Sequence, residues 1–150
     1  MATSLIGTVV DDVVLTVERG KVLEMARATR AEDPVHTDPA AAQGAGFAEQ
    51  VATATHVVTA GHLRDQLAYV RALGLVRERI VVGEVAWDFT RPLVVGDTVR
   101  GTRTVVGDET KPGKRGGSMR IITLQTAYRD ATGGLVVRQT ESIIEREVPA

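Results

Sequence analysis

The chain has 150 residues, a length that suits one domain with a substantial core. Apolar residues make up 43% and charged residues 25%, as in an ordinary soluble globular protein, while aromatics are only 3%, so Val, Leu, Ile and Ala must build the core. The formal net charge of −1 argues against a nucleic-acid or membrane partner, and the absence of cysteine rules out disulfides, thiolate catalysis and Cys-ligated zinc.

Met1 to Gly7 has neither a basic start nor a long apolar run, so no secretory leader is expected. The most apolar stretch, Val51 to Leu63, is interrupted by Thr and His and is too short to span a bilayer. A cytoplasmic location follows as the expectation. Val13 to Glu18 is a β-branched run and reads as a strand that Gly20 breaks. Lys21 to Arg30 carries Val22, Leu23, Met25 and Ala26 at helical spacing. Pro34 and Pro39 punctuate a loop over Glu32 to Pro39. Asp38 before Pro39 resembles an N-cap with proline at the first helical position, which predicts a short helical turn over Pro39 to Gln43.

Gln50 to Arg71 is the longest expected helix. Its first half, Val51 to Gly61, carries no charge, and a helix that is apolar or small all round is normally buried. Charges return at Arg64 and Asp65, where the helix is expected to surface. From Arg79 onward the texture changes to strands: Ile80 to Phe89, Asp97 to Val106, Ser118 to Arg129 and Leu135 to Glu145. Turn signals separate them at Arg91-Pro92 with Gly96-Asp97, at Lys111 to Gly117 and at Asp130 to Gly134. Short turns between neighbouring strands imply an antiparallel sheet. The expected fold is α+β: a curved antiparallel sheet wrapped around one long central helix, the hot-dog arrangement. A single sheet of this kind leaves an edge to cover, so a homodimer or a heterodimer with another hot-dog subunit is expected.

Two segments carry a resemblance. Asp33-Pro34-Val35-His36-Thr37-Asp38-Pro39-Ala40-Ala41-Ala42 resembles the hydratase signature of MaoC-like enzymes, in which an Asp, an Asn-Pro pair, an aliphatic residue and a His precede an Asp-Pro pair. Trp87 to Val99, with Phe89, Pro92 and Gly96-Asp97, resembles the strand and turn that recur later in that family. Both lie in the right order around the charge-free helix, and the order of elements agrees from about Ile6 to Glu147. The chain is similar in particular to the N-terminal-type, FAS1-like dehydratase hot dogs, including the small subunits of mycobacterial hydroxyacyl-ACP dehydratases.

The resemblance implies a hydro-lyase that interconverts 3-hydroxyacyl and 2-enoyl thioesters of coenzyme A or an acyl carrier protein, without cofactor or metal. It implies that His36 is the catalytic histidine. Ala54 would offer the backbone N–H that polarises the thioester carbonyl, with Thr53 and Thr55 beside it. That logic is physically sound, because enolate charge builds where a helix N-terminus presents free donors and a histidine can shuttle the proton near neutral pH. One departure stands out: the signature's catalytic Asp falls on Ala31 and its Asn on Asp33. Glu32 and Asp33 read as solvated loop acids, or as a carboxylate source if the loop is rearranged.

Plainer readings stand beside these. His36 by itself would brace a turn after Pro34. His56 is a buried histidine bonded to backbone or a second histidine of the pocket. His62 lies off its face and reads as structural. Lys111, Lys114 and Arg115 form a solvated hairpin tip or a contact for coenzyme A phosphates. A non-catalytic hot-dog subunit that binds acyl chains or stabilises a catalytic partner is the alternative to an enzyme, and a thioesterase is weaker because the central helix offers no carboxylate.

Overall fold

The computed structural model describes residues 4–114 and 116–146, so Arg115 and Glu147 lie outside the described residues. Strand β1 (Val9–Thr16) leads into helix α1 (Arg19–Ala28), a 3-10 turn at Pro34–His36 and helix α2 (Pro39–Gly44). The central segment follows as a 3-10 helix, Ala54–Leu63, and then helix α3 (Gln66–Ala72). Strands β2 (Ile80–Phe89), β3 (Thr98–Pro112), β4 (Ser118–Arg129) and β5 (Leu135–Arg146) complete the chain. All pairings between these strands are antiparallel and the strand order is β1-β3-β4-β5-β2. The α+β class, the antiparallel sheet and its hot-dog arrangement agree with the expectation.

β4 shows why these residues make a half-buried strand. Ile122, Leu124, Thr126 and Tyr128 are buried while Ile121, Thr123, Gln125 and Ala127 are only partly so, the period of two that puts alternate side chains on opposite faces. β3 runs past the expected end at Val106. A register shift between Val105 and Gly107 absorbs one residue, and pairing then continues to Pro112 opposite Ser118. Val57 and Ala60 of the central segment join Val13, Leu15, Val99 and Val137 of the sheet in one core cluster. Tyr69 and Val70 of α3 and Leu73 just after it join Val105, Ile122 and Leu124 in a second.

The single long helix over Gln50 to Arg71 is corrected. β-branched Thr53, Thr55, Val57, Val58 and Thr59 resist the α-helix because their side chains crowd the preceding turn. The segment takes the tighter 3-10 form, and the Thr59 hydroxyl donates to the His56 carbonyl three residues back at 2.8 Å. Arg64 leaves the helix with extended dihedrals as its side chain enters the core. Asp65 then caps a new helix, its Oδ1 accepting from the Leu67 and Ala68 amides at 3.0 and 2.9 Å. Burial on all sides is corrected too. His56, Val57 and Ala60 face inward, whereas Val58 and Leu63 are exposed.

Candidate functional site

The Asp33–His36 turn is built by capping. Asp33 Oδ1 accepts from the Val35 amide at 3.0 Å, and Pro34 supplies the fixed φ at the first helical position. Asp38 does the same for α2, accepting from Ala40 N at 2.9 Å. This tight geometry sets His36 beside an extended stretch, Gln50–Ala52, with Val51 N donating to Val35 O at 2.9 Å. The His36 ring lies 2.7 Å from the Val51 carbonyl through Nδ1. A carbonyl only accepts, so Nδ1 carries the hydrogen and Nε2 of the neutral ring keeps its lone pair.

The same stretch reaches the second motif. Ala52 N donates to Leu93 O at 2.8 Å, Val95 N to Gln50 O at 2.9 Å, and Val51 and Val94 form a β-bridge. Asp97 holds that turn rigid. Its Oδ2 accepts from Val94 N at 2.9 Å and from Arg91 Nη1 at 2.7 Å, and its Oδ1 accepts from Arg91 Nη2 at 3.1 Å. Gly96 occupies the left-handed region at φ +94°, which the tight turn requires. Two sequence motifs, one ending at Ala42 and the other beginning at Trp87, are thus stitched together through Gln50–Ala52.

Beside this junction lies an open, largely apolar cavity of about 310 Å³, lined by Val51 to Ala54 and by Phe89 to Leu93. Thr53 and Ala54, at the start of the central 3-10 helix, form part of its wall. Thr55 is exposed and does not line it. His36 stands one contact back, through Val51.

The remaining candidates are placed as follows. Asp33 is exposed and engaged as a cap, and no carboxylate pairs with His36 among the described residues. Ala31 closes the end of α1, its amide donating to Ala26 O at 2.8 Å. His56 is 0% exposed, and neither ring nitrogen has a hydrogen-bond partner among the described residues. Burial, with a smaller contribution from the Lys21 charge, holds its imidazole below the ordinary range, so it sits neutral in the core rather than lining the cavity.

A further constellation was missed at the level of sequence. Arg64 reaches inward to pair with Asp11 and donates to Tyr128 Oη at 2.9 Å. Arg103 bonds Glu141 at 2.9 Å, and its Nε lies 3.1 Å from Asp11 Oδ2, an ion pair off hydrogen-bond alignment. Its guanidinium also stacks over the Tyr69 ring at 4.6 Å. The Arg64 and Arg103 side chains are only 4% and 5% exposed. Burial pushes the Tyr69 and Tyr128 phenols up, so both stay protonated. A signal existed: Arg103 falls in phase with Val99, Gly101 and Val105, and Glu141 in phase with Val137 and Ile143, so both occupy inward positions of their strands.

The chain is similar to several known proteins. A UPF0336 protein of Clavibacter michiganensis subsp. michiganensis is 40% identical over 131 residues, covering 87% of this chain and 85% of that protein. In three dimensions the chain resembles the C-terminally truncated HadBC complex, a 3R-hydroxyacyl-ACP dehydratase of Mycobacterium tuberculosis, with a TM-score of 0.78 and 22% identity over 96% of this chain and 99% of that one. It also resembles the (R)-hydratase of A. caviae involved in PHA biosynthesis, with a TM-score of 0.67 and 22% identity over 96% and 98%. At that identity the two structures establish the hot-dog fold. No helix among the described residues is long and apolar enough to cross a membrane. Residues 4–139 match the "FAS1-like, dehydratase domain region" family, and with two motifs that meet in space on a hot-dog sheet, the chain belongs to that family.

Proposed function

We propose that the chain acts on acyl thioesters of coenzyme A or acyl carrier protein, interconverting 3-hydroxyacyl and 2-enoyl forms, with His36 as the proton-transfer residue. The observation that carries this reading is the 2.7 Å contact of His36 Nδ1 with the carbonyl of Val51, a residue that lines the cavity; the contact leaves the lone pair of Nε2 available as a base. The thioester carbonyl would lie against the backbone amides of Thr53 and Ala54, where developing enolate charge meets the start of the central helix. In dehydration Nε2 removes the proton next to the carbonyl, the double bond forms, and the same imidazolium returns that proton to the departing hydroxyl, which leaves as water. Asp33 contributes by capping the turn that aims the ring, and His56 stays neutral within the core.

Ala31 favours a second reading. Without the signature's carboxylate, the chain could serve as the acyl-binding partner of a catalytic hot-dog subunit. Both readings place a second hot-dog chain, a copy or a relative, on edge strand β2, where Val81, Val82 and Phe89 are exposed.

Hydration of a short 2-enoyl-coenzyme A by the purified chain, followed by loss of enoyl absorbance, tests the first reading. His36→Ala is expected to lower the rate roughly 10²- to 10⁴-fold, the usual worth of a positioned acid–base group. Equal rates in wild type and variant would remove His36 from catalysis. Activity that appears only with a co-expressed hot-dog partner, and is indifferent to His36→Ala, would establish the subunit reading.

A further inference from the structure

A second cavity of about 310 Å³ lies between the central segment and the sheet. Its walls are apolar, with Val57 and Val58 on one side and Val82, Val85 and Trp87 of β2 on the other. Its floor is the buried network of Arg64, Arg103, Tyr128, Glu141 and Gln139. The first cavity is bounded by Val51–Ala54 and by Phe89 at the far end of β2. Both cavities are thus flanked by the same central segment and the same edge strand, and follow one another in the same order on each wall.

We propose that the polar floor is a specificity site for an acyl group whose tail carries an uncharged hydrogen-bonding oxygen, a hydroxyl or a ketone. This rests on the thioester reading above, with the carbonyl at Thr53–Ala54. Three arguments support it. The first is length. From Ala54 to Gly61 the helix rises about 14 Å at roughly 2 Å per residue. An extended chain advances about 1.2 Å per bond, so a tail of roughly ten carbons spans about 11 Å, and a terminal oxygen with a hydrogen bond of about 3 Å brings it to the arginines.

The second is solvation. A plain alkyl tail would cover the polar edges that Arg64, Arg103, Tyr128, Glu141 and Gln139 present to the cavity and return no hydrogen bond, which is costly at a buried polar surface. The Nε1 of Trp87 is already a buried donor with no partner among the described residues. The third is charge. Arg64 and Arg103 are matched by Asp11 and Glu141, so the floor is neutral. A carboxylate tail would add an unbalanced negative charge, whereas a hydroxyl or ketone adds none. A network serving stability alone would be packed by side chains, since buried ion pairs rarely repay their desolvation. This one lines a cavity instead.

Trp87 is the only tryptophan of the chain and lines the cavity, so its fluorescence reports occupancy directly. The purified chain is titrated with three pantetheine thioesters that have no reactive 3-hydroxyl: decanoyl, ω-hydroxydecanoyl and the half-thioester of decanedioic acid. Free decanediol serves as a probe without a thioester. The ω-hydroxydecanoyl thioester is expected to bind at least tenfold more tightly than either other thioester, about 1.4 kcal/mol. Glu141→Gln makes the floor positive and is expected to reverse the order of the hydroxyl and carboxylate tails. Should that variant not fold, the wild-type ranking decides alone. Decanoyl binding as tightly as ω-hydroxydecanoyl would overturn the proposal and leave the thioester reading intact. A Trp87 response to decanediol but to no thioester would support the polar floor and remove the thioester reading. Silence of Trp87 toward all four probes would overturn the proposal.

Discussion

Replacing His56 by leucine is expected to stabilise the protein, and to do so most in mild acid. The ring is fully buried, neither nitrogen finds a partner among the described residues, and burial holds its imidazole below the ordinary 6.5. Above about pH 7.5 the ring is neutral folded and unfolded, so it adds no pH dependence. As pH falls below that value, the unfolded chain binds a proton that the folded chain refuses, and stability drops down to the lower folded value. Between about pH 7.5 and pH 5.5 the largest loss one such ring can cause is about 1.4 kcal/mol. Leucine removes that loss, and it also removes two unpaired polar atoms, whose burial costs on the order of 1–3 kcal/mol. Imperfect fit offsets up to about 1.5 kcal/mol of the gain. Urea unfolding of both proteins at the two pH values reads the difference. The gap between variant and wild type should widen by up to about 1.4 kcal/mol in acid. A gap that stays constant with pH would refute the reasoning, because it would mean that folded His56 accepts a proton as readily as the unfolded ring.

Two further outcomes follow from packing. A Cβ added at Gly101 would sit 2.5 Å from Cε1 and 2.7 Å from Cδ1 of the Tyr128 ring, which Arg64 holds in place. Gly101→Ala should cost about 1–3 kcal/mol, several degrees in a thermal melt, and an unchanged melting temperature would show that the ring moves freely. Val82, 61% exposed on the edge strand, should lie at the junction with a second chain. Val82→Glu is expected to shift sedimentation from dimer to monomer, and an unaltered mass would place the junction elsewhere.

Where a pattern is local, it could be read without coordinates. The strand blocks after Arg79 announce themselves by β-branched runs between turn residues; three of the four appear within a residue of their expected bounds, and β3 runs six residues past its expected end. The Asp38–Pro39 cap is equally local, since the side chain bonds an amide two residues on. Periodicity misled at Gln50 to Arg71 because an uncharged run states how apolar a segment is, not which helix it forms. The β-branched residues favoured the tighter helix, and Asp65 was a cap signal passed over inside the run.

By itself the sequence determined the strand blocks and the turn that carries His36, because each depends on residues a few positions apart, whereas the pairing of β1 with β3 and of β2 with β5 joins distant residues. Only tertiary structure decided what those parts do together. His36 meets Val51 across fifteen residues, and Arg64 meets Tyr128 across sixty-four. No spacing encodes such contacts, since they arise when sheet and helix close on one another. That closure places two arginines beneath a segment that reads as an apolar helix in one dimension.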